Sequence, residues 1–302
     1  MKKIISGLLA LTMIFAVCTT VFAAVETPYD NSSFYTQGDY EIHYRVIEHS
    51  GDFKGRIMFL HGFLCSTYAW RNMAAELSAE GYDCVLADLP NFGYSTRETA
   101  ETQNIDREDL IIGLMNSISP DGEWILAGHS MGGGVAVNIA EKFPVKALLL
   151  FCPAPQSTCP EGLEKLVTGK IMKALMNGFF TVGTKLSPVV KLVVYAATNN
   201  WDFSMNYDVY GVTGPFEYKG IGAGMCEMLV RVRETDLDNA GKITCPVLLV
   251  NAEKDIIISD SMCSQFLTAF PDATTYFVGG AGHQCIEDRA EELAALVTEF
   301  IG

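Results

Sequence analysis

The stretch EWILAGHSMGGGVAV, residues 123–137, places a serine and a histidine among four glycines. A short apolar run precedes the glycines and a second apolar segment follows them, so the pattern predicts a buried strand, a tight turn and a helix. The stretch matches neither GxGxxG nor GxxxxGK followed by Ser or Thr, which excludes the common phosphate-binding loops. A strand, Gly-His-Ser-Met-Gly and a helix, in this order, are typical of a turn that presents a reactive serine, here Ser130.

Steric clearance explains the glycines around Ser130. At a strained turn, side chains on Gly128 and Gly132 would collide with the neighbouring strand and helix. Gly133 and Gly134 would let the helix begin close to the sheet, with the positive end of its dipole near Ser130. The adjacent histidine, residue 129, has to point away from the serine and is predicted to be structural.

Outside this stretch, apolar runs alternate with helical patterns. DYEIHYRVIEH, from Asp39, alternates apolar and polar residues just after Gln37-Gly38, which predicts an antiparallel strand, the second of a hairpin. Six continuous apolar runs follow: RIMFL (56–60), CVLA (84–87), WILA (124–127), ALLLF (147–151), PVLLV (246–250) and TTYFV (274–278). Continuous runs suit strands covered on both faces, so we predict a parallel sheet with crossover helices.

The helical segments divide the chain into a core and an insertion. AWRNMAAELSAEGY, EDLIIGLMNSI and the C-terminal AEELAALVTEFI have amphipathic or helical patterns between or after the runs. Between Phe151 and Pro246 no comparable strand pair occurs, and the helical patterns there are rich in Met, Phe and Val. We predict a core formed by residues 24–154 and 234–302, with a helical cap, residues 155–233, inserted into it.

The first 23 residues have the layout of a secretory signal peptide. Lys2 and Lys3 precede an apolar run, and Val21 and Ala23 flank a plausible cleavage point. We therefore predict a secreted or cell-envelope protein. The alternative is an uncleaved membrane anchor, because the apolar run reaches Val25. No later segment is apolar for long enough to span a bilayer, so no stable span is predicted after cleavage.

Composition excludes one class of partner. The 302 residues are 49% apolar, which is enough for one sizeable core. The formal net charge is −15, and loss of the two N-terminal lysines makes it −17. Because no basic cluster offsets this acidity, we expect repulsion from nucleic acid and from anionic lipid. Composition predicts no oligomeric state.

The sequence does not predict how the cysteines pair, since eight cysteines admit 105 full pairings. Cys18 would leave with the signal peptide, and export would permit disulfides among the other eight. Cys84 and Cys245 lie in apolar, strand-like runs and are predicted to be buried and free. A disulfide between Cys152 and Cys159 is considered as a staple at the start of the insertion. No Cys or Cys/His spacing typical of a metal site occurs, and no metal or cofactor is predicted.

A serine hydroxyl needs a base to act as a nucleophile, and the five histidines supply one strong candidate. His283 lies in VGGAGHQCIED, after the last predicted strand and before the last helix, and is the only histidine in the final hundred residues. His43 and His49 lie in or beside the first strand and are predicted to be surface residues. His61 begins HGFL directly after a strand.

The base in turn needs an acid to orient it, and position favours Asp255. This residue lies a few positions beyond the buried run PVLLV, at the edge where α/β sheets present their catalytic groups. The competing carboxylates are Glu253, Asp260 and Asp236, which are most simply solvated.

Several motifs now point to one family. FLHGFLCSTYAWR, ADLPNFGYST, LAGHSMGGG, LLVNAEKD and GAGH occur in the order found in the α/β-hydrolase superfamily. The chain resembles its cap-bearing members, which include serine esterases, lipases and carbon–carbon bond hydrolases, from about Arg56 to the C-terminus. The resemblance implies a mostly parallel eight-stranded sheet flanked by helices, with a helical cap.

The resemblance also implies roles for individual residues. Ser130 would be the nucleophile, His283 the general base and then acid, and Asp255 the partner that orients His283. The backbone N–H groups of Phe63 and Met131 would form the oxyanion hole. The supporting residues of this site would be His61, Gly62, Gly128 and Gly132.

Two departures from the family pattern bear on these expectations. Asn91 stands in DLPNFG where relatives usually carry glycine, and asparagine also adopts left-handed conformations. HGFL lacks the glycine run of the HGGG-type lipases. A serine rather than an aspartate at position 130 argues against the dehalogenase and epoxide-hydrolase branches.

The function predicted from these residues is cleavage of carboxylic esters by a secreted serine hydrolase. An apolar acyl or alcohol group of the small-molecule substrate would lie beneath the Met- and Phe-rich cap. A carbon–carbon bond hydrolase, a lactonase or an aminopeptidase would use the same triad and stays an alternative. A third possibility, from a different class, is a ligand-binding protein that keeps the fold without turnover.

Overall fold

The computed structural model describes residues 27–120, 122–183 and 185–302. The predicted signal peptide, residues 1–23, lies outside them. Eight strands in the described residues form one sheet in the order β1-β2-β4-β3-β5-β6-β7-β8. Their bounds are Ser32–Gln37 (β1), Tyr40–Ile47 (β2), Gly55–Leu60 (β3), Tyr82–Ala87 (β4), Trp124–His129 (β5), Ala147–Phe151 (β6), Val247–Ala252 (β7) and Thr274–Val278 (β8). Strand β2 pairs antiparallel with β1 and β4, and the other neighbours are parallel, which confirms the predicted sheet.

The predicted N-terminal hairpin is formed by β1 and β2. Gln37 pairs with Tyr40, which leaves a loop of two residues, Gly38 and Asp39. Gly38 has a φ of +59°, a value that glycine adopts without the steric cost of a Cβ atom.

Helices cover both faces of the sheet, so its central strands are buried along their whole length. Every residue of β5 and β6 is buried. The helices outside the insertion are Arg71–Ala79 (α1), Arg107–Ile118 (α2), Met131–Lys142 (α3), Asp260–Ala269 (α10), Cys285–Asp288 (α11) and Ala290–Ile301 (α12).

Alternate residues of β5 enter two separate apolar cores. Ile125 belongs to the core that α1 and α12 close with residues such as Leu77 and Leu293. Leu126 belongs to the opposite core, which includes Leu114 of α2 and side chains of α3 and α10. Burial on both faces explains the continuous apolar runs of β3 to β7. Strand β8 lies at the edge of the sheet and is mostly exposed, so the expectation that TTYFV is covered on both faces is wrong.

Between β6 and β7 the described residues contain helices and no strand, as the sequence predicts. These helices are Glu164–Val167 (α4), Lys170–Gly183 (α5), Ser187–Thr198 (α6), Trp201–Met205 (α7), Val209–Thr213 (α8) and Ile221–Arg231 (α9), with 3-10 helices at Gly214–Glu217 and Leu237–Lys242. Tyr207 joins the insertion to the core, because its hydroxyl donates to the Glu287 carboxylate at 2.8 Å. The insertion boundaries, residues 155 and 233, stay a prediction.

The structure corrects the expectation for two of the cysteines. All eight described cysteines are free thiols, so the staple considered between Cys152 and Cys159 is wrong. Cys152 Sγ instead lies 3.8 Å from Cys285 Sγ in the buried core. Cys84 is buried and free as predicted, whereas Cys245 is only half-buried.

Candidate active site

Ser130 occupies the turn between β5 and α3, in the strained conformation that the sequence predicts. Its φ is 53° and its ψ is −124°, a region that non-glycine residues rarely adopt. A Cβ atom at Gly128 would lie 2.4 Å from the carbonyl oxygen of Gly132. At Gly132, it would lie 2.3 Å from the carbonyl oxygen of Leu60. Both glycines therefore supply the clearance that lets the turn close.

The backbone around Ser130 is held by hydrogen bonds to the neighbouring strand and its extension. The Ser130 N–H donates to the carbonyl oxygen of Phe151 at 3.0 Å, and the Ser130 carbonyl accepts from Ala154 at 2.9 Å. These bonds fix the strained turn from the β6 side, so the position of the serine does not depend on its own side chain.

His283 and Asp255 form a hydrogen-bonded pair. The distance from His283 Nδ1 to Asp255 Oδ2 is 2.7 Å, and both side chains are buried. Asp255 Oδ1 accepts the N–H groups of Ile257 at 2.8 Å and of Ile258 at 2.9 Å. Burial alone would raise the pKa of Asp255, but the hydrogen bond and charge of His283 outweigh it and, with the two N–H donors, hold the pKa below its ordinary value. The carboxylate is therefore ionised and fixed against Nδ1.

The competing carboxylates lie in other settings. Glu253 is half-exposed, and its carboxylate pairs with Lys254 Nζ at 2.7 Å. Asp236 caps the 3-10 helix that follows it by accepting the N–H of Asn239 at 3.2 Å. Asp260 is the exposed first residue of α10. Of the four candidates, Asp255 alone bonds to His283.

The loop that carries His283 lies against the serine turn through His129. His129 Nε2 donates to the carbonyl oxygen of His283 at 2.9 Å, and the two ring centroids are 4.7 Å apart. Burial, followed by the charge of His283, lowers the pKa of His129 to about 3, so this imidazole is neutral. Its predicted structural role fits a contact of this kind.

Because Nδ1–H of His283 donates its hydrogen bond to Asp255, Nε2 is the ring nitrogen that can accept a proton. Within the described residues, no hydrogen bond joins this nitrogen to Ser130 Oγ, and the serine hydroxyl has no other hydrogen bond. Catalytic hydrogen bonds are often long without substrate and shorten when it binds.

The HGFL loop passes beside Ser130 and brings two backbone donors with it. A Cβ atom on Gly62 would lie 3.0 Å from Ser130 Cβ and 2.8 Å from His129 Nδ1, so the loop is in contact with the turn. Among the described residues, the N–H groups of Phe63 and Met131 donate to no protein acceptor. Met131 is the first residue of α3, where N–H groups have no partner within the helix.

His61 fixes this loop to the loop that follows β4. Its Nε2 accepts the N–H of Leu89 at 3.1 Å, and its Nδ1 donates to the carbonyl oxygen of Gly62 at 2.8 Å. Burial is the main reason that the pKa of His61 lies below its ordinary value, so the ring is neutral. Its contacts hold the HGFL loop against the loop that follows β4.

A buried pair that the sequence did not predict organises the same loops. His43, predicted to be at the surface, is fully buried, and its Nδ1 lies 2.7 Å from Asp88 Oδ2. Asp88 also accepts the N–H groups of Thr67 at 2.6 Å and of Tyr94 at 2.9 Å. The sequence signal was an acidic residue directly after an apolar run. The prediction for His43 failed because its partner lies 45 residues away.

The departure at Asn91 is accommodated as the sequence analysis predicts. Asn91 has a φ of +74°, in the left-handed region that asparagine and glycine tolerate. Its side-chain oxygen accepts the N–H of Glu98 at 2.7 Å, so the asparagine also holds the loop.

One group of potential metal ligands occurs in the described residues, and it includes the candidate acid and base. Atoms of Cys152, Asp255 and His283 lie within 4.8 Å of one another. A metal would need the thiolate of Cys152, but its hydrogen bond with Cys285 and burial raise the pKa of this thiol well above its ordinary value. With Asp255 and His283 already bonded to each other, the group suits proton transfer better than metal binding.

Comparisons with known proteins agree with this architecture. A family model described as alpha/beta hydrolase fold matches residues 55–186. An uncharacterized hydrolase of Bacillus subtilis is 26% identical over 88% of this chain and 96% of its own length. A monoacylglycerol lipase of Mycolicibacterium smegmatis is 22% identical over 75% of this chain and 79% of its own. The structure of a thermophilic esterase from Thermogutta terrifontis superposes with a TM-score of 0.66 at 18% identity, covering 86% of this chain and 93% of that one.

Proposed function

We propose that this hydrolase of the α/β-hydrolase fold cleaves carboxylic esters through an acyl-enzyme on Ser130. The observation that carries the proposal is the arrangement around the serine turn. A strained serine, a buried His283–Asp255 pair and two unpaired backbone N–H groups converge there. Each is a component that acyl transfer requires.

In the proposed reaction, each group has its own step. As Ser130 Oγ attacks the ester carbonyl carbon, His283 Nε2 accepts the hydroxyl proton, while Asp255 stabilises the imidazolium through Nδ1–H. The carbonyl oxygen gains negative charge and accepts hydrogen bonds from the N–H groups of Phe63 and Met131. Each donor of this kind is typically worth about 3 kcal/mol in the transition state.

The tetrahedral intermediate then collapses. The C–O bond to the alcohol breaks, and the alcohol leaves with the proton from His283. Water attacks the acyl carbonyl carbon and gives its proton to the same nitrogen. Collapse of the second intermediate returns the proton to Ser130 Oγ and releases the carboxylic acid, so the enzyme ends as it began.

An apolar group on one side of the ester is part of the proposal. The Met- and Phe-rich insertion supports it, since thioethers and aromatic rings adapt to apolar ligands. At the site itself, the Phe63 ring is about half exposed and stacks edge-on against Phe92 at 5.8 Å. The ester-hydrolysing names among the relatives, a monoacylglycerol lipase and a lipase of Psychrobacter immobilis, point to the same bond.

Export remains part of the proposal and is supported by the N-terminal sequence alone. Sequencing the N-terminus of the protein recovered from culture medium or cell envelope tests it. Cleavage after Ala23 is the expected result, and an intact Met1 in a membrane fraction would instead identify an anchor.

The test of the proposed reaction compares Ser130→Ala with Ser78→Ala, a serine at the end of α1. Hydrolysis of short- and medium-chain p-nitrophenyl esters should disappear in the first variant and stay unchanged in the second. Comparing kcat/KM for esters, lactones, vinylogous diketones and aminoacyl amides then decides between ester hydrolysis and the reactions of a lactonase, a carbon–carbon bond hydrolase or an aminopeptidase. A higher kcat/KM for any other bond would overturn the ester assignment while leaving the nucleophile in place.

A further inference from the structure

The insertion carries an unusual concentration of exposed apolar side chains. Among the described residues, twelve of the nineteen exposed large apolar side chains lie between Leu163 and Trp201. Isolated apolar residues are normal on protein surfaces, but a concentration of this size in consecutive helices is typical of an interaction site.

Helix α5 is apolar on two faces. Ile171, Leu175, Phe179 and Val182 recur at spacings of three and four, so they share one face, and they are 62–79% exposed. The opposite face carries Phe180, which is 5% exposed and belongs to the apolar core. The exposed face is therefore additional to the one that the fold uses.

Helix α6, the next helix along the chain, also exposes apolar side chains. Val189, Leu192 and Val193 are 50–62% exposed, whereas Thr198 is buried on the inner side. Trp201, at the start of α7, is 54% exposed and packs edge-on against Tyr195 of α6 at 5.3 Å. We call the exposed faces of α5 and α6 together with Trp201 the apolar surface.

The sequence segment that carries α5 and α6 has a formal charge opposite to that of the whole chain. Residues 163–198 contain five lysines and one glutamate, a formal charge of +4 within a chain of −15. Lys165, Lys170 and Lys185 are exposed and make no ion pair in the described part of the chain. The whole-chain expectation of repulsion from anionic lipid therefore does not hold locally, because charges beyond about 8 Å are screened at physiological salt.

We propose that the apolar surface docks on an anionic lipid membrane, with its side chains in the headgroup region and the exposed lysines against lipid phosphates. Amphipathic helices with lysines beside an apolar face bind membranes in this manner. A twofold contact between two copies would instead place each lysine-rich patch against itself, which charge repulsion disfavours.

The lengths of the helices favour lying on the bilayer over crossing it. Helix α5 has 14 residues, about 21 Å, against a hydrocarbon core of ~30 Å. In the described part of the chain, no single helix is both long and apolar enough to span; α5 and α6 meet that test only together, and they are bent by 96°.

Tryptophan fluorescence of the full chain gives a local test. The chain has three tryptophans, of which Trp70 and Trp124 are fully buried, so quenching by brominated lipid reports on Trp201. The probe is a vesicle of equal parts phosphatidylglycerol and brominated phosphatidylcholine, with vesicles of brominated phosphatidylcholine alone for comparison. Wild type should be quenched by the mixed vesicles, and salt should reduce the quenching. An N-terminal anchor is common to all variants and does not itself place Trp201 against lipid.

Two pairs of substitutions separate the contribution of the apolar side chains to vesicle binding from that of the lysines. Leu175→Gln with Phe179→Gln should weaken the vesicle interaction by about tenfold or more, because each exposed side chain would otherwise enter lipid. Lys170→Gln with Lys185→Gln should weaken it by about fivefold per lysine, and only on anionic vesicles. The matched controls are Phe277→Gln, 58% exposed on β8, and Lys146→Gln, which lies outside the insertion.

The outcomes distinguish lipid from other occupants. Absence of Trp201 quenching in wild type, or equal loss in the Phe277→Gln control, would overturn the proposal. So would salt-independent quenching on phosphatidylcholine alone, or self-association in sedimentation velocity that the α5 variant abolishes. The measurement involves no turnover, so its result is independent of the proposed hydrolysis.

Discussion

Asp255→Asn is an almost isosteric change whose effect follows from three hydrogen bonds. In wild type, Oδ1 accepts two backbone N–H groups, from Ile257 and Ile258, and Oδ2 accepts Nδ1–H of His283. An asparagine will keep its side-chain oxygen on the two N–H donors. Turning the amide round would leave both donors without an acceptor, at a cost of about 1–3 kcal/mol each. The NH2 group is therefore directed at His283 Nδ1.

This orientation inverts the tautomer of His283. Because the asparagine NH2 group is a donor, Nδ1 of His283 has to accept its hydrogen bond, and the ring proton moves to Nε2. A protonated Nε2 cannot take the proton of Ser130. We expect kcat/KM to fall by about 10⁴-fold, equivalent to ~5.4 kcal/mol of transition-state stabilisation. Stability should change little, because both backbone hydrogen bonds remain.

The assay is hydrolysis of a p-nitrophenyl ester, with circular dichroism and thermal melting to confirm folding. Asp260→Asn is the matched control, since it removes a nearby carboxylate that the structure places outside the pair, and it should keep wild-type activity. A folded Asp255→Asn variant with more than about a tenth of wild-type kcat/KM would refute the assignment of Asp255.

Three further predictions follow from single contacts. Gly132→Ala would place a methyl group 2.3 Å from a carbonyl oxygen of β3, so the free energy of unfolding measured by chemical denaturation should fall by about 1–3 kcal/mol and activity should disappear. The control Gly241→Ala, where a Cβ atom would meet no atom within 4 Å, should change neither quantity. Tyr207→Phe removes the hydroxyl that donates to the buried carboxylate of Glu287, and should lower the free energy of unfolding by about 1–3 kcal/mol, seen as a lower Tm with unchanged fold. Burial alone would raise the pKa of Asp88, but the charge and hydrogen bond of His43 help to hold this pKa below the ordinary value of 3.8. The carboxylate therefore stabilises the fold fully at neutral pH, and this contribution is lost as the pH falls below about 3.8. In urea titrations, the difference in free energy of unfolding between wild type and Asp88→Asn should shrink from neutral pH to pH ~3, and a constant difference would contradict the role given to Asp88.

Strands β3 to β7 were predictable because their local composition reflects burial on two faces, whereas the run of the edge strand β8 predicted the strand but not its exposure. Each continuous apolar run corresponds to one of the strands β3 to β8, and the Gly38-Asp39 turn sets the first hairpin. The pairing of Asp255 with His283 was also within reach, since parallel strands end at one edge and bring the loops after β7 and β8 together.

Side-chain partners far apart in sequence were not predictable in the same way. His43 lies in an alternating strand that resembles a half-exposed one, and only the fold brings Asp88 to it. The free thiol of Cys152 contacts Cys285, 133 positions away, rather than the nearby Cys159. Spacing along the chain carries no information on such contacts. The exposed apolar face of α5 was equally unpredictable, because an apolar pattern with helical spacing does not show which face of the helix the fold buries.

Covalent labelling tests whether Ser130 is the nucleophile. A fluorophosphonate probe reacts with an activated serine, and mass spectrometry of proteolytic fragments locates the adduct. We expect a single adduct on Ser130, complete loss of labelling in Ser130→Ala, and strongly slowed labelling in Asp255→Asn. An unlabelled wild-type protein, or an adduct on any other residue, would contradict the assignment of Ser130.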